Sequence, residues 1–173
     1  MRQLQPINKK RALQFLMNVK ECLKGRTWFL TMGTLLGAVR EGNFIDWDFD
    51  IDLMMLRKYE PDMQGIANCL KSKGCSATVI TCRDERKEIT EMQIFIQINY
   101  QGVPGHIALR DHKSFKGKGH LVPGETRTIM GVEFPVPKNP EKLLEEIYGD
   151  WRTPTPPRHY RQSANLPEGA WHD

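Results

Sequence analysis

The sequence contains no apolar run that approaches the roughly 18 to 20 residues of a membrane-spanning helix. Its first six residues, Met1 to Pro6, also lack the apolar core of a secretory signal peptide. From these two absences we expect a cytoplasmic protein without a membrane span.

Several common catalytic motifs are missing as well. There is no Gly-x-x-x-x-Gly-Lys-Ser/Thr phosphate loop, no Gly-x-Gly-x-x-Gly, no His-Glu-x-x-His and no Gly-x-Ser-x-Gly. The five histidines show no spacing typical of metal ligands. These absences argue against a P-loop NTPase, a dinucleotide-dependent dehydrogenase, a zinc protease and an α/β-hydrolase.

Cysteine is scarce, and the four copies form no Cys-x-x-Cys pair. Cys22 and Cys69 fall at apolar positions of helical patterns. We therefore expect reduced structural thiols, with metal ligation as the weaker alternative.

Charge of neither sign dominates. The 173 residues carry 25 Lys and Arg against 21 Asp and Glu, a net charge of +4, which suits a small anionic ligand and indicates nucleic acid only weakly. The length fits one domain. Eight of the 11 prolines lie at or after Pro123, so we predict a single domain over residues 1–155 and an extended Pro-rich tail over 156–173.

Hydrophobic periodicity predicts a mixture of helices and strands. The predicted elements are a helix from the Asn8 cap to Gly25, a strand over 27–32, a helix opening at Gly33, a strand over 45–55, a helix from Pro61 to Gly74, strands over 77–82, 89–100, 106–109 and 128–134, and a helix from Pro140 to Tyr148.

The most informative stretch places an acid at every second position. On a strand, Asp48, Asp50 and Asp52 would share one face about 7 Å apart, with Phe49 and Ile51 entering the core. Carboxylates stacked on a buried face cost free energy unless a cation compensates them. Mg²⁺ or Mn²⁺ takes carboxylate oxygens and leaves positions open for substrate phosphates, so the stretch predicts a divalent metal site.

This stretch has two other interpretations. An EF-hand calcium loop fails because its sixth position is Leu53 instead of Gly and its twelfth is Tyr59 instead of Glu. A solvated acidic strand face stays open as the alternative to a metal site.

The residues just upstream suggest an anion site. Gly33 and Thr34 follow a strand and open a helix, where free N–H groups and a hydroxyl can seat a phosphate, although an ordinary helix cap has the same pattern. Arg40 could reach that phosphate or merely complement the helix dipole. The basic stretch from Arg110 to His120 is a phosphate- or acceptor-contacting loop, or else a solvated one.

Two ordered motifs carry a family resemblance. Gly33-Thr-Leu-Leu-Gly-Ala-Val-Arg40 is followed by Ile45-Asp-Trp-Asp-Phe-Asp-Ile-Asp52, and Phe134-Pro-Val-Pro137 is followed by Leu144-x-x-Ile-Tyr-Gly-Asp-Trp151. Over roughly residues 27–155 the sequence resembles the LicD/fukutin family of the nucleotidyltransferase-fold superfamily.

The resemblance implies an α/β (α+β) fold with a nucleotidyltransferase-like mixed β-sheet core flanked by helices. It implies metal-dependent transfer of a phospho-alcohol, such as phosphocholine or ribitol phosphate, from a CDP-activated donor to a hydroxyl acceptor, expected to be a glycan. By motif position, Asp50 and Asp52 would be the catalytic metal-binding pair, Asp48 a neighbouring substrate-binding acid, and Gly33 and Thr34 the donor-phosphate seat.

The sequence departs from the family pattern at one position. Ala108 stands where relatives carry a third carboxylate from an adjacent strand. Asp111 is the expected catalytic replacement if a loop or bulge brings it in, and Glu91 is a further candidate; otherwise two acids suffice or the activity is altered. Tyr148 and Trp151 are expected to serve the fold.

Two alternative functions share these motifs. A nucleotidyltransferase that uses an NTP to modify a small molecule, a protein or a nucleic acid would have the same metal site. A catalytically inactive module that binds a nucleotide or a glycan would keep the fold, and Ala108 is the main support for it.

Overall fold

A computed structural model describes residues 6–83, 92–110 and 122–155. The elements in chain order are α1 (Lys9–Cys22), β1 (Trp28–Leu30), α2 (Met32–Glu41), β2 (Ile51–Leu56), a 3-10 helix (Arg57–Asp62), α3 (Met63–Ser72), β3 (Ser76–Arg83), β4 (Met92–Tyr100), β5 (Val103–Arg110), β6 (Pro123–Ile129), β7 (Val132–Pro137) and α4 (Pro140–Tyr148).

The fold is built on a mixed five-stranded sheet in the order β1-β2-β5-β4-β3. The central pair, β2 and β5, is parallel, and the other neighbouring strands are antiparallel. A hairpin of β6 and β7 packs against β1 and α2. This arrangement confirms the predicted mixed α/β fold with a sheet core flanked by helices.

One face of the sheet forms the core. Ile51, Leu53 and Met55 of β2 are fully buried there, and α1 crosses the same face. A side chain at Gly105 would place its Cβ 2.7 Å from a ring carbon of Phe15, so glycine at this position lets α1 pack directly on the sheet. The opposite face is therefore left for the polar residues of the central strands.

The predicted strand over residues 45–55 is wrong in its first half, because β2 begins only at Ile51. The backbone N–H of Asp48 donates to the carbonyl of Ile45 at 3.2 Å, and the carbonyl of Asp48 accepts from Ile7 at 2.9 Å. The bond from Asp48 to Ile45 closes a turn over residues 45–48 where a strand was expected. Phe49 consequently does not enter the core and is 39% exposed.

The predicted strand over residues 128–134 is also wrong. The chain reverses at Met130 and Gly131, whose φ angles of 51° and 82° are both positive, and two paired strands replace the expected single one. The glycine at the turn favours this reversal.

The prediction of reduced thiols is wrong for two of the four cysteines. Cys22 and Cys69 form a disulfide across 47 positions of sequence, with their Cα atoms 5.8 Å apart. Both lie on the inner faces of helices, and α1 packs against α3, which brings the two sulfur atoms together. Cys75 and Cys82 are free, as expected.

The helix boundaries agree well with their sequence signals. The side chain of Asn8 accepts from the backbone N–H of Arg11 at 3.1 Å and so caps α1. Helix α4 begins at Pro140 and stops at Gly149, whose φ is 69°.

The predicted tail over residues 156–173 lies outside the described residues. In the described part of the chain, no helix combines the length and apolarity that a bilayer crossing requires.

The disulfide is expected to contribute measurably to stability. In the chain-entropy view, closing a loop of this length is worth about 3–4 kcal/mol, so the variant Cys22→Ser/Cys69→Ser should melt roughly 10 °C lower than the wild type in calorimetry. The unreduced wild type should expose two free thiols on denaturation. Four reactive thiols, or an unchanged melting temperature in the double variant, would contradict the crosslink.

Candidate active site

The start of α2 holds the start of β2. The Oγ1 atom of Thr34 accepts the backbone N–H of Asp52 at 2.9 Å, and the backbone N–H of Gly33 donates to the Asp52 carboxylate. The backbone N–H of Thr31 donates to the carbonyl of Asp52 at 3.1 Å. Asp52 is thus fixed by three hydrogen bonds with the first turn of one helix, whose dipole also favours a negative charge.

Gly33 permits a second acid to approach the same helix terminus. A Cβ atom at Gly33 would lie 2.7 Å from Oδ2 of Asp48, which is too close for any side chain. The Asp48 carboxylate in turn accepts the backbone N–H of Phe49 at 3.0 Å. Glycine is therefore favoured at position 33 because the carboxylate of Asp48 occupies the space that a side chain would need.

The three acids do not follow one strand face, yet the structure brings them together. Burial, followed by the charge of Asp50, raises the pKa of Asp48 to about 6. Burial, followed by the charges of Asp50 and Asp48, raises the pKa of Asp52 to about 7, and burial also raises the pKa of Asp50. The raised pKa values mean that the negative charges of the cluster are not balanced by nearby positive charges. A bound cation would supply that balance.

His106 completes a candidate metal centre. It pairs in register with Asp52 across β2 and β5, with 3.5 Å between Nδ1 and the Asp52 carboxylate. One ligand atom from each of Asp50, Asp52 and His106 lies within 4.8 Å of the others. Burial lowers the pKa of His106, which favours the neutral imidazole that metals require. The two carboxylates suit Mg²⁺ or Mn²⁺, whereas the imidazole suits a transition-metal ion better than Mg²⁺.

His106 was missed in the sequence because its partners are close in space and distant in sequence. The sequence does place His106 at the start of the predicted strand 106–109. Only the parallel pairing of β2 with β5 shows that this position lies beside Asp52. Ala108 follows on the same side of β5, since alternate residues share a face. The candidate metal ligand on β5 is therefore His106, two residues before the position expected to carry an acid.

Tyr148 lies nearer to the acids than its expected structural role implied. It ends α4 and is 41% exposed. Burial of its hydroxyl and the charges of Asp52, Asp48 and Asp50 together raise the pKa of Tyr148 to about 12. The tyrosine is therefore a neutral hydrogen-bonding group beside the cluster.

Two cavities flank the acids. The sheet-face cavity, of about 360 Å³, is lined by Asp50, Gln93, Phe95, Gln97, Ile98, Pro104, Gly105, His106, Ala108 and Arg110. The α2–α4 cavity, of about 420 Å³, is lined by Gly33, Leu36, Arg40, Ile45, Trp47, Asp48, Tyr148, Asp150, Trp151, Thr153 and Thr155. The acid cluster thus separates two spaces that are each large enough for a small ligand.

Arg40 lines the α2–α4 cavity, but its side chain is engaged elsewhere. Its guanidinium pairs with Glu41 at 2.7 Å and donates to the carbonyl of Trp151 at 3.2 Å. It also lies over the ring of Trp47, 5.8 Å from the centroid. The predicted phosphate contact of Arg40 stays a prediction.

Asp111 and Glu91 lie outside the described residues, as does the loop over 111–120.

A mixed sheet with clustered acids at the start of a central strand, held by a helix terminus, is the arrangement expected from the resemblance to the nucleotidyltransferase-fold superfamily. The family model described as "LicD/FKTN/FKRP, nucleotidyltransferase domain" matches residues 25–139. The chain therefore belongs to the LicD/FKTN/FKRP family.

Curated relatives are similar over part of the chain. Ribitol 5-phosphate transferase FKRP of Mus musculus and its counterpart of Homo sapiens are each 30% identical over 94 residues. The match covers 53% of this chain and 17% of each relative. The chain thus corresponds to a small part of those longer proteins.

The raised pKa values predict a pH-dependent stability. A carboxyl group whose pKa is higher in the folded state costs nothing below pH 4 and destabilises the fold as the pH rises towards 7 and above. In metal-free protein, Asp52→Asn should therefore raise the melting temperature by roughly 5 °C at pH 8 and change it little at pH 4. The matched control is Asp46→Asn, since Asp46 is exposed and paired with Lys9. Equal effects of Asp52→Asn at both pH values would show that the acid cluster is not strained by its charge.

Proposed function

We propose that the protein is a metal-dependent transferase that moves a phospho-alcohol group from a CDP-activated donor to a hydroxyl of an acceptor, with a glycan as the acceptor class. The observation that carries the proposal is the convergence of Asp50, Asp52 and His106 beside two cavities. Membership of the LicD/FKTN/FKRP family supports a transferase, and the name of the relatives, ribitol 5-phosphate transferase, favours a phospho-alcohol of the ribitol phosphate type.

In this proposal Asp50, Asp52 and His106 hold Mg²⁺ or Mn²⁺. The bound ion would supply positive charge that offsets the charge developing on the donor phosphates. Gly33 and Thr34 keep the Asp52 carboxylate at the start of β2 through the bonds described above. The direct role of Gly33 and Thr34 as a donor-phosphate seat stays a prediction, since in the free domain both groups are bonded to Asp52.

Asp48 is the proposed general base. Its pKa of about 6 leaves it mostly ionised at neutral pH while keeping it basic enough to accept a proton from an attacking hydroxyl. Asp48 also lines the α2–α4 cavity, where an acceptor can approach it. Asp111, which the sequence analysis names as a catalytic candidate, stays the alternative general base.

The cellular location proposed here differs from the cytoplasmic one expected from sequence. Disulfides persist mainly in oxidising compartments, and Cys22 is crosslinked to Cys69. We therefore propose that this domain functions in an oxidising compartment.

The metal-binding acids should be essential for turnover. With a CDP-activated alcohol as donor, Asp50→Asn and Asp52→Asn should each reduce kcat by about 10²- to 10³-fold, because each removes charge that stabilises the bound cation and hence the transition state. Circular dichroism should show an unchanged fold, and Asp46→Asn should retain wild-type turnover. Full activity in both cluster variants would rule out the metal assignment.

The released product distinguishes the proposed reaction from the NTP-dependent alternative. Transfer of a phospho-alcohol releases CMP, whereas transfer of a nucleotide from CTP releases pyrophosphate. We expect CMP in stoichiometric amounts with the modified acceptor. Pyrophosphate release from an NTP, with no CMP from CDP-activated donors, would favour the alternative.

A further inference from the structure

We propose that the site selects a transition-metal ion such as Mn²⁺ over Mg²⁺, and that the imidazole of His106 is the group that makes this choice. This inference rests on the proposed function and deepens it by naming the ion that the site holds. Three features of the molecule support it: the kinds of ligand atom, the fixed position of the imidazole, and the residue at position 108.

The ligand atoms of the candidate centre are mixed in kind. Asp50 and Asp52 offer carboxylate oxygens and His106 offers a ring nitrogen, and one atom of each lies within 4.8 Å of the others. Mg²⁺ takes oxygen ligands and demands near-ideal octahedral geometry, whereas imidazole nitrogen suits transition metals. Mn²⁺ accepts carboxylate oxygens as Mg²⁺ does, and it also belongs to the series of ions that binds nitrogen ligands. A centre with two carboxylates and one imidazole therefore favours Mn²⁺ over Mg²⁺.

The imidazole is held in place from both sides of β5. His106 pairs in register with Asp52 on β2 and with Gln97 on β4. Its ring meets the ring of Phe95 edge-on, with 6.3 Å between the centroids and an interplanar angle of 74°. The side chain of His106 is 37% exposed, so an ion from solvent can reach it. Because the ligand is built on a central strand and packs against a ring, its nitrogen is positioned before an ion arrives.

The residue at position 108 leaves this side of β5 without a carboxylate. Ala108 follows His106 on the same side of the strand and lines the sheet-face cavity together with Asp50 and His106. Its methyl group cannot bind an ion. The strand as a whole, Val103–Arg110, contains no Asp or Glu. β5 therefore presents a nitrogen ligand to the cluster, and an oxygen ligand that would bring the centre closer to the set preferred by Mg²⁺ is missing from this strand.

The contact between His106 and Asp52 has one other use. With 3.5 Å between Nδ1 and the carboxylate, a protonated imidazole would form an ion pair with Asp52 and bind no metal. A cation held by the acids would then have no nitrogen ligand from the protein. The two arrangements differ in whether nitrogen is bonded to the ion, and this difference can be measured directly.

The first experiment detects the nitrogen ligand. The full chain is freed of metal with a chelator and loaded with equimolar Mn²⁺, and the electron spin-echo envelope modulation of the ion is recorded. We expect the ¹⁴N modulation of a directly bound imidazole, replaced by a ¹⁵N pattern when the protein is labelled with ¹⁵N-histidine. Bound Mn²⁺ without nitrogen modulation, or no binding of Mn²⁺, would overturn the inference.

The second experiment measures the selectivity. Mg²⁺ is titrated against bound Mn²⁺ in the wild type and in His106→Asp, which replaces the nitrogen ligand by a carboxylate. The ratio of the Mg²⁺ to the Mn²⁺ dissociation constant should fall about tenfold in the variant, because a ligand that favours Mn²⁺ is exchanged for one that suits both ions. The nitrogen modulation should disappear while Mn²⁺ still binds. An unchanged ratio would contradict the assigned role of His106.

A further variant tests the selectivity with His106 in place. Ala108→Asp adds an oxygen ligand on the same side of β5, so the same ratio should fall. The matched control is Gln93→Asp, which adds an equal charge to the sheet-face cavity. The partner of Gln93 in register is Cys82, whereas that of His106 is Gln97, so the control should leave the ratio unchanged. Equal falls in both variants would assign the effect to charge and would count against ligand type as its cause.

Circular dichroism checks the fold of each variant, and the nitrogen measurement on the wild type decides the inference if a variant fails to fold. These measurements use no substrate, so they separate the inference from the proposed function. Nitrogen-bound Mn²⁺ without turnover of any CDP-activated donor supports the selectivity and counts against the proposed transferase reaction. Turnover by a protein whose bound Mn²⁺ shows no nitrogen ligand overturns the selectivity and leaves the transferase reaction standing.

Discussion

The hydrogen bonds between the start of α2 and Asp52 are the constraint on which the site depends. Thr34 receives the backbone N–H of Asp52, and Gly33 donates to its carboxylate. These bonds attach the start of the helix to the start of β2. They thereby set the position of the neighbouring acids. Since β2 pairs in parallel with β5, the same attachment brings Asp52 beside His106. The acid cluster and the candidate metal site both depend on this junction.

The junction holds the acids at a cost in stability. Partial burial and mutual repulsion raise the pKa values of Asp48 and Asp52 well above that of a free aspartate. Such a cluster is unfavourable in the free domain and becomes favourable when a divalent cation binds, because metal binding and carboxylate ionisation are linked. The disulfide joins α1 to α3 and includes none of the residues of the acid cluster.

Much of the fold could be predicted from sequence, because amphipathic periodicity and caps such as Asn8 act locally. The three aspartates were found for the same reason, although the stretch is a turn followed by a strand. His106 and the pairing of Cys22 with Cys69 could not be found in this way. Both depend on which elements are neighbours in space, and a single sequence does not contain the strand order or the contact of α1 with α3.

The central claim is that the acid cluster is a metal site completed by β5. The most direct measurement is a crystal structure of the protein soaked with Mn²⁺, with anomalous diffraction recorded to locate the ion. The account predicts an anomalous peak about 2.0–2.5 Å from carboxylate oxygens of Asp50 and Asp52 and from a ring nitrogen of His106. Mn²⁺ bound at other acidic residues, with no peak at this cluster, would contradict the account.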